Sequence, residues 1–170
     1  MKQETKIIIF LLLLAPILGE LVSGASPPFV FFNPTMFLIF VVLYGCGVLL
    51  IREAKVRWKL QWSVIFLAIA YAIIEEGLMM QTFFNPGFAT MGALSQYGMY
   101  LGVQWVGTIS VTIFHATIST LIPIAMVGLL WPKYKDKPLL KKKGLAFCFI
   151  GILLVTIAGI VLNFIGQGLP

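Results

Sequence analysis

The sequence predicts an all-α protein, one polytopic membrane helix bundle of about five transmembrane helices. Three observations carry that reading. Of 170 residues, 60% are hydrophobic and only 11% charged, more apolar surface than a soluble domain can hide. The apolar residues gather into five runs near the roughly 20 residues that cross the hydrocarbon of a bilayer. All twelve Lys and Arg fall in three segments, the N-terminus, 52–59 and 133–143, which five spans place on one face. Residues 1–170 read as a single integral membrane domain, with no room for a separate soluble one. The formal charge of +6 is accounted for by topology, so no nucleic-acid partner is expected; the lipid bilayer is.

The first run, 6–22, follows a short basic start and ends before Val22-Ser23-Gly24-Ala25. It reads either as a cleaved signal peptide or as a retained first span, and retention fits better with the packed spans that follow. Ser26-Pro27-Pro28 is a break. Asn33 and Pro34 then read as N-cap and first helical residue of the second span, 34–51. Gly45 and Gly47 in that span are small enough for other helices to approach closely. Trp58 and Trp62 flank the entry to the third span, 62–80, as interfacial anchors. A stretch without basic residues follows, suited to a short interfacial or re-entrant element with Tyr97 and Tyr100 at headgroup level. The fourth span, 106–131, contains Pro123, which predicts a kink. The fifth is 145–165. Phe-Phe-Asn-Pro occurs at 31–34 and again at 83–86, a weak trace of a duplicated helical hairpin. Cys46 and Cys148 are expected at different depths, which argues against a disulfide.

The loops 22–33 and 81–104 carry no Lys or Arg. Twelve basic residues against none predicts a cell-membrane protein with its N-terminus cytoplasmic and its C-terminus outside. The lysines are then orientation signals in a solvated loop rather than a specific lipid site.

Against that background the pair Glu75-Glu76 stands out, because the run from Trp62 to Met80 has no other charged residue. Ionisable groups within a span are costly and mark functional sites by default. The only histidine, His115, lies on the fourth span at a similar depth. Thr108, Thr112, His115 and Ser119 are spaced four, three and four apart, a polar stripe along one helix face. Tyr71 lies one turn before Glu75 and is placed to donate a hydrogen bond to it, and Gly77 invites a neighbouring helix. Adjacent residues diverge by about 100° on an α-helix. One glutamate is therefore expected to face His115, and the other to meet a different partner such as Glu20 or backbone amides. Two neighbouring carboxylates outside bulk water do not both ionise easily. One of them beside an imidazole can act as a general base on water or relay a proton. The candidate catalytic set is Glu75, Glu76 and His115, supported by Tyr71, Thr112, Ser119 and Glu20. The plainer alternative is that water at the interface solvates the glutamates while His115 bridges helices.

Glu75-Glu76 in one span with a histidine in the next resembles the intramembrane glutamate proteases of the CAAX-processing and bacteriocin-processing family. In that family a double glutamate activates water, and histidines with an asparagine on later helices complete the site. The resemblance places the catalytic glutamate at Glu75, its neighbour at Glu76 and a family histidine at His115, with Ser119 where asparagine or aspartate is commoner. The pattern EExxxR meets Met80 in place of arginine, FxxxH meets Val111 in place of phenylalanine, and no second histidine exists. Segments 19–28, 43–53 and 72–86 also resemble a family of small uncharacterised prokaryotic multi-pass membrane proteins. Three activities stay open: a divergent or degenerate glutamate-protease-like hydrolase, a proton- or ion-linked transport component, and a non-catalytic membrane interaction protein. A membrane-protein or peptide partner suits the first and third. No organic cofactor is expected, and the residues leave a metal undecided.

Overall fold

The computed structural model describes residues 2–85 and 97–166. Helix α1 is Gln3–Val22, α2 the single turn Pro28–Phe31 and α3 Pro34–Arg57. Helix α4 covers 64–79, with nine α-helical residues, Val64–Ala72, continuing into seven π-helical ones, Ile73–Met79. A two-strand hairpin, β1 (Met99–Tyr100) and β2 (Val103–Gln104), leads into α5 (Trp105–Leu130), and α6 is Lys142–Gly166. Among the described residues, α1, α3, α5 and α6 are long and apolar enough to cross a membrane. Helix α4 is the fifth and shortest member, starting two residues later and ending one earlier than the expected 62–80.

The local chemistry explains the helix starts. Asn33 Oδ1 accepts hydrogen bonds from the Thr35 and Met36 amides at 3.1 and 3.3 Å, with Pro34 at the first helical position, as the sequence reading expects. Phe31, 1% exposed, anchors the approach by ring contacts with Phe32, Phe37 and Phe40. The hairpin turns at Leu101 and Gly102, both at positive φ, the pairing of a type I′ turn. It presents Tyr97 and Tyr100 as exposed rings where an interfacial element was expected. The second Phe-Phe-Asn-Pro ends at Pro86, outside the described residues.

Helix α3 is the axis of the bundle. Leu43, Tyr44, Cys46, Val48 and Leu49 on it are buried in one core with Ile7, Leu11 and Ala15 of α1. Its glycines serve close approach, as anticipated. A Cβ on Gly45 would meet the Leu12 backbone at 2.7 Å, and one on Gly47 would meet the Tyr71 ring at 2.4 Å. Gly77 differs: a Cβ there would meet the Phe83 ring at 2.9 Å, so the chain's own return folds over it rather than a neighbouring helix. Helix α6 is the least buried of the four long apolar helices, pinned to the end of α4 by Asn163 Nδ2 donating to the Met79 carbonyl at 2.6 Å.

Helix α3 continues beyond 51, where the second span was expected to end. It runs on to Arg57 and carries Arg52 and Glu53 inward, each 1% exposed. Glu53 holds Arg52 at 3.1 Å, Arg57 at 3.0 Å and the Leu139 amide at 2.6 Å. Arg52 donates to the carbonyls of Tyr134 and Lys137 at 2.5 and 3.0 Å, and Arg57 to that of Leu140 at 2.5 Å. These residues read from the sequence as a solvated basic loop. They instead clamp the 134–140 connection to α3, each buried charge being matched by its partners. With Phe10 stacked edge-on to Trp131, the three basic segments gather at one end of the bundle. Cys46 and Cys148, expected to form no disulfide, are both free and buried.

Candidate functional site: a buried glutamate–histidine cluster

Four helices each change from α to π winding in the half of the bundle away from the basic end. The segments are Ile17–Val22, Val41–Gly45, Ile73–Met79 and His115–Leu121. They carry Glu20, Tyr44, the pair Glu75-Glu76, and His115 with Ser119. In a π turn the carbonyl pairs with the amide five residues on, as Glu75 O does with Met80 N at 2.9 Å. Each turn therefore holds more residues, and neighbours in sequence diverge less than on an α-helix.

That winding corrects the expectation that only one glutamate meets the imidazole. Glu76 Oε1 lies 2.9 Å from His115 Nε2, and Glu75 Oε2 lies 3.6 Å from Nδ1. The ring is wedged between the two carboxylates. Glu76 also accepts from Thr82 Oγ1 at 2.6 Å, and Ser119 Oγ is 3.4 Å from Nδ1. Glu75 is different in kind. It is 1% exposed, and neither carboxylate oxygen has a hydrogen-bond partner among the described residues. Glu76 and His115 are 8% and 7% exposed, so interfacial water does not bathe the cluster.

Three supporting residues stand elsewhere than the sequence reading placed them. Tyr71 donates to the Leu43 carbonyl at 2.6 Å, not to Glu75. The bare Gly47 lets the phenol pass, and a carbonyl of the π segment Val41–Gly45 receives it. Glu20 does not meet the glutamate pair; it accepts from Tyr44 at 2.7 Å and Ser26 at 2.5 Å. Thr112 is half-buried and its hydroxyl makes no hydrogen bond among the described residues, while Thr108 bonds the Gln104 carbonyl at 2.8 Å. Of the polar stripe on α5, only Ser119 joins His115.

Tyr44 is the residue that sequence reasoning missed. Its hydroxyl holds Glu20 and its ring stacks on His115, centroids 5.8 Å apart and planes 20° off parallel. Gly19 makes room for it, since a Cβ there would meet the Tyr44 ring at 2.8 Å and Ser119 Oγ at 3.2 Å. The available signal was a tyrosine in mid-span, whose hydroxyl must find a partner. Thr82 was also missed, because it lies beyond the helix and returns only through the fold.

Glu75, Glu76 and His115 can each offer one ligand atom, all within 4.8 Å of one another. Carboxylate oxygens with one imidazole suit zinc or another divalent first-row ion. Glu75 Oε2 and Nδ1, 3.6 Å apart, could equally share a hydrogen-bonded water between them.

Fold and cluster together define a polytopic membrane helix bundle with a buried glutamate–glutamate–histidine centre. Residues 9–167 match a family described as an uncharacterized membrane protein family, and the chain belongs to it. No curated protein and no solved structure matches the chain.

Proposed function

We propose that the protein is an intramembrane hydrolase in which Glu75 activates water, a divergent relative in mechanism of the glutamate proteases it resembles. The basic end faces the cytoplasm in this reading, and the reaction takes place in the opposite leaflet. The observation that carries the proposal is the carboxylate of Glu75, buried yet without a hydrogen bond among the described residues, beside an imidazole already fixed from its far side by Glu76. A buried polar group left unpaired is costly, and sites that retain one use it. Glu75 takes a proton from water, the oxygen attacks a carbonyl carbon of a membrane-borne peptide or ester, and the same proton passes to the leaving group. His115 orients the water and steadies the developing oxyanion, held in place by Glu76 and the Tyr44 ring.

The test is mass spectrometry of a library of transmembrane peptides incubated with the reconstituted full chain in H₂¹⁸O. New carboxyl termini carrying the heavy oxygen are expected with the wild type and not with Glu75→Gln. Cleavage that survives Glu75→Gln overturns the assignment. A second reading, an ion-linked carrier, draws support from the three ligand atoms that one cation could touch together. It predicts ion flux sensitive to Glu75→Gln and no cleaved peptide.

A further inference from the structure

At the basic end, a groove of about 1120 Å³ opens between the start of α4 and the end of α5. Ile65, Ile124 and Leu129 form its apolar walls, and Trp62, 89% exposed, stands at its mouth. Lys55, Lys59 and Lys135 line the same groove. Arg52, also on the wall, is already matched by Glu53 and loop carbonyls, and Asp136 lies within its electrostatic reach. The three lysines make no side-chain hydrogen bond or ion pair among the described residues. The aliphatic stem of Lys135 lies over Gly128, 3.5 Å from where a Cβ would be, which seats the side chain against the groove wall.

The second observation is conformational. Helix α3 ends in a Schellman turn, with the Leu60 amide on the Lys55 carbonyl at 2.9 Å and the Lys59 amide on that of Val56 at 3.4 Å. The residue at the left-handed position of such a turn is ordinarily glycine. Here it is Lys59, at φ 54°. A side chain kept where none is cheaper points to use.

We propose that this groove binds one anionic phospholipid. Its phosphate is received by Lys55, Lys59 and Lys135, one acyl chain runs along Ile65 and Leu129, and Trp62 sits at the glycerol level. The charge is complementary, since three unmatched cations face a headgroup of opposite sign. The apolar wall continues from them into the span, as a lipid tail requires and a free phosphate does not. The site is separate from the glutamate cluster and does not depend on its function.

Native mass spectrometry of the full chain released from detergent tests this, with phosphatidylglycerol and phosphatidylcholine titrated in parallel. One retained phosphatidylglycerol per chain is expected, at an affinity on the order of tenfold to a hundredfold above phosphatidylcholine. The triple variant Lys55→Gln, Lys59→Gln, Lys135→Gln loses the preference. The control Lys141→Gln, Lys142→Gln, Lys143→Gln, with the same change in net charge, keeps it. Lys59→Gly separates binding from folding, because it relaxes the turn and raises the thermal midpoint while weakening retention severalfold. Equal retention of the two lipids, equal loss in both triple variants, or displacement by millimolar inorganic phosphate overturns the proposal.

Discussion

Replacing Glu75 by glutamine sets two accounts of the cluster against each other. If the cluster is only a structural ion pair, removing one partner of a buried pair costs about 3–5 kcal/mol. The geometry argues otherwise for this residue. At 3.6 Å and an effective dielectric of about 20, attraction to a protonated imidazole is roughly 4–5 kcal/mol. Against it stand several kcal/mol for taking a carboxylate out of water and repulsion from Glu76 across the ring. Among the described residues neither oxygen has a hydrogen-bond partner; the Tyr44 hydroxyl lies within electrostatic reach but is given to Glu20 at 2.7 Å. The opposing terms are of similar size, and the glutamine amide gains a donor that Glu75 lacks. Glu75→Gln is therefore expected to leave the thermal midpoint in mild detergent unchanged or slightly raised. Glu76→Gln weakens a 2.9 Å charge-assisted bond, roughly twice as strong as a neutral one. It should lower stability by about 1–2 kcal/mol, or several degrees at the roughly 2–4 °C per kcal/mol of a chain this size. A fall for Glu75→Gln as large as that for Glu76→Gln would refute the claim that Glu75 is held at a net loss and kept for chemistry.

Further outcomes follow from individual contacts. Tyr71→Phe removes the 2.6 Å bond to the Leu43 carbonyl and should cost about 1–2 kcal/mol in detergent unfolding, with peptide cleavage unchanged. Gly47→Ala drives a methyl group to 2.4 Å from the Tyr71 ring. The overpacking should cost about 1–3 kcal/mol, relieved when combined with Tyr71→Ala. Arg52→Ala strips Glu53 of its buried counter-charge; a loss of about 3–5 kcal/mol is expected, with limited proteolysis newly cutting the 134–140 connection. Cleavage through directly activated water should survive a chelator such as EDTA. Inhibition that zinc or manganese reverses would instead assign Glu75, Glu76 and His115 to a metal.

The sequence alone determined the solvent and the helices, and it singled out the rare charges within them. Hydrocarbon leaves a spanning chain almost no alternative to α-helix, so composition and run length settle the fold class. The Asn33-Pro34 start was equally readable, because a cap is a local bond between neighbours. Glycine spacing foretold close packing of α3 but not its partners, since any helix can fill a small-residue gap. What only the tertiary structure decided depends on which helix stands beside which, and on winding. An ideal α-helix keeps Glu75 and Glu76 apart. The π segments that bring both to His115 are irregularities sustained by packing from four helices, with no propensity signature of their own. Tyr44 and the loop partners of the Glu53 clamp escaped notice for the same reason, since Glu20 and the 134–140 connection are distant from them in sequence; Thr82 lies only six residues from Glu76 but reaches it by a turn past the helix end that helical spacing does not foretell.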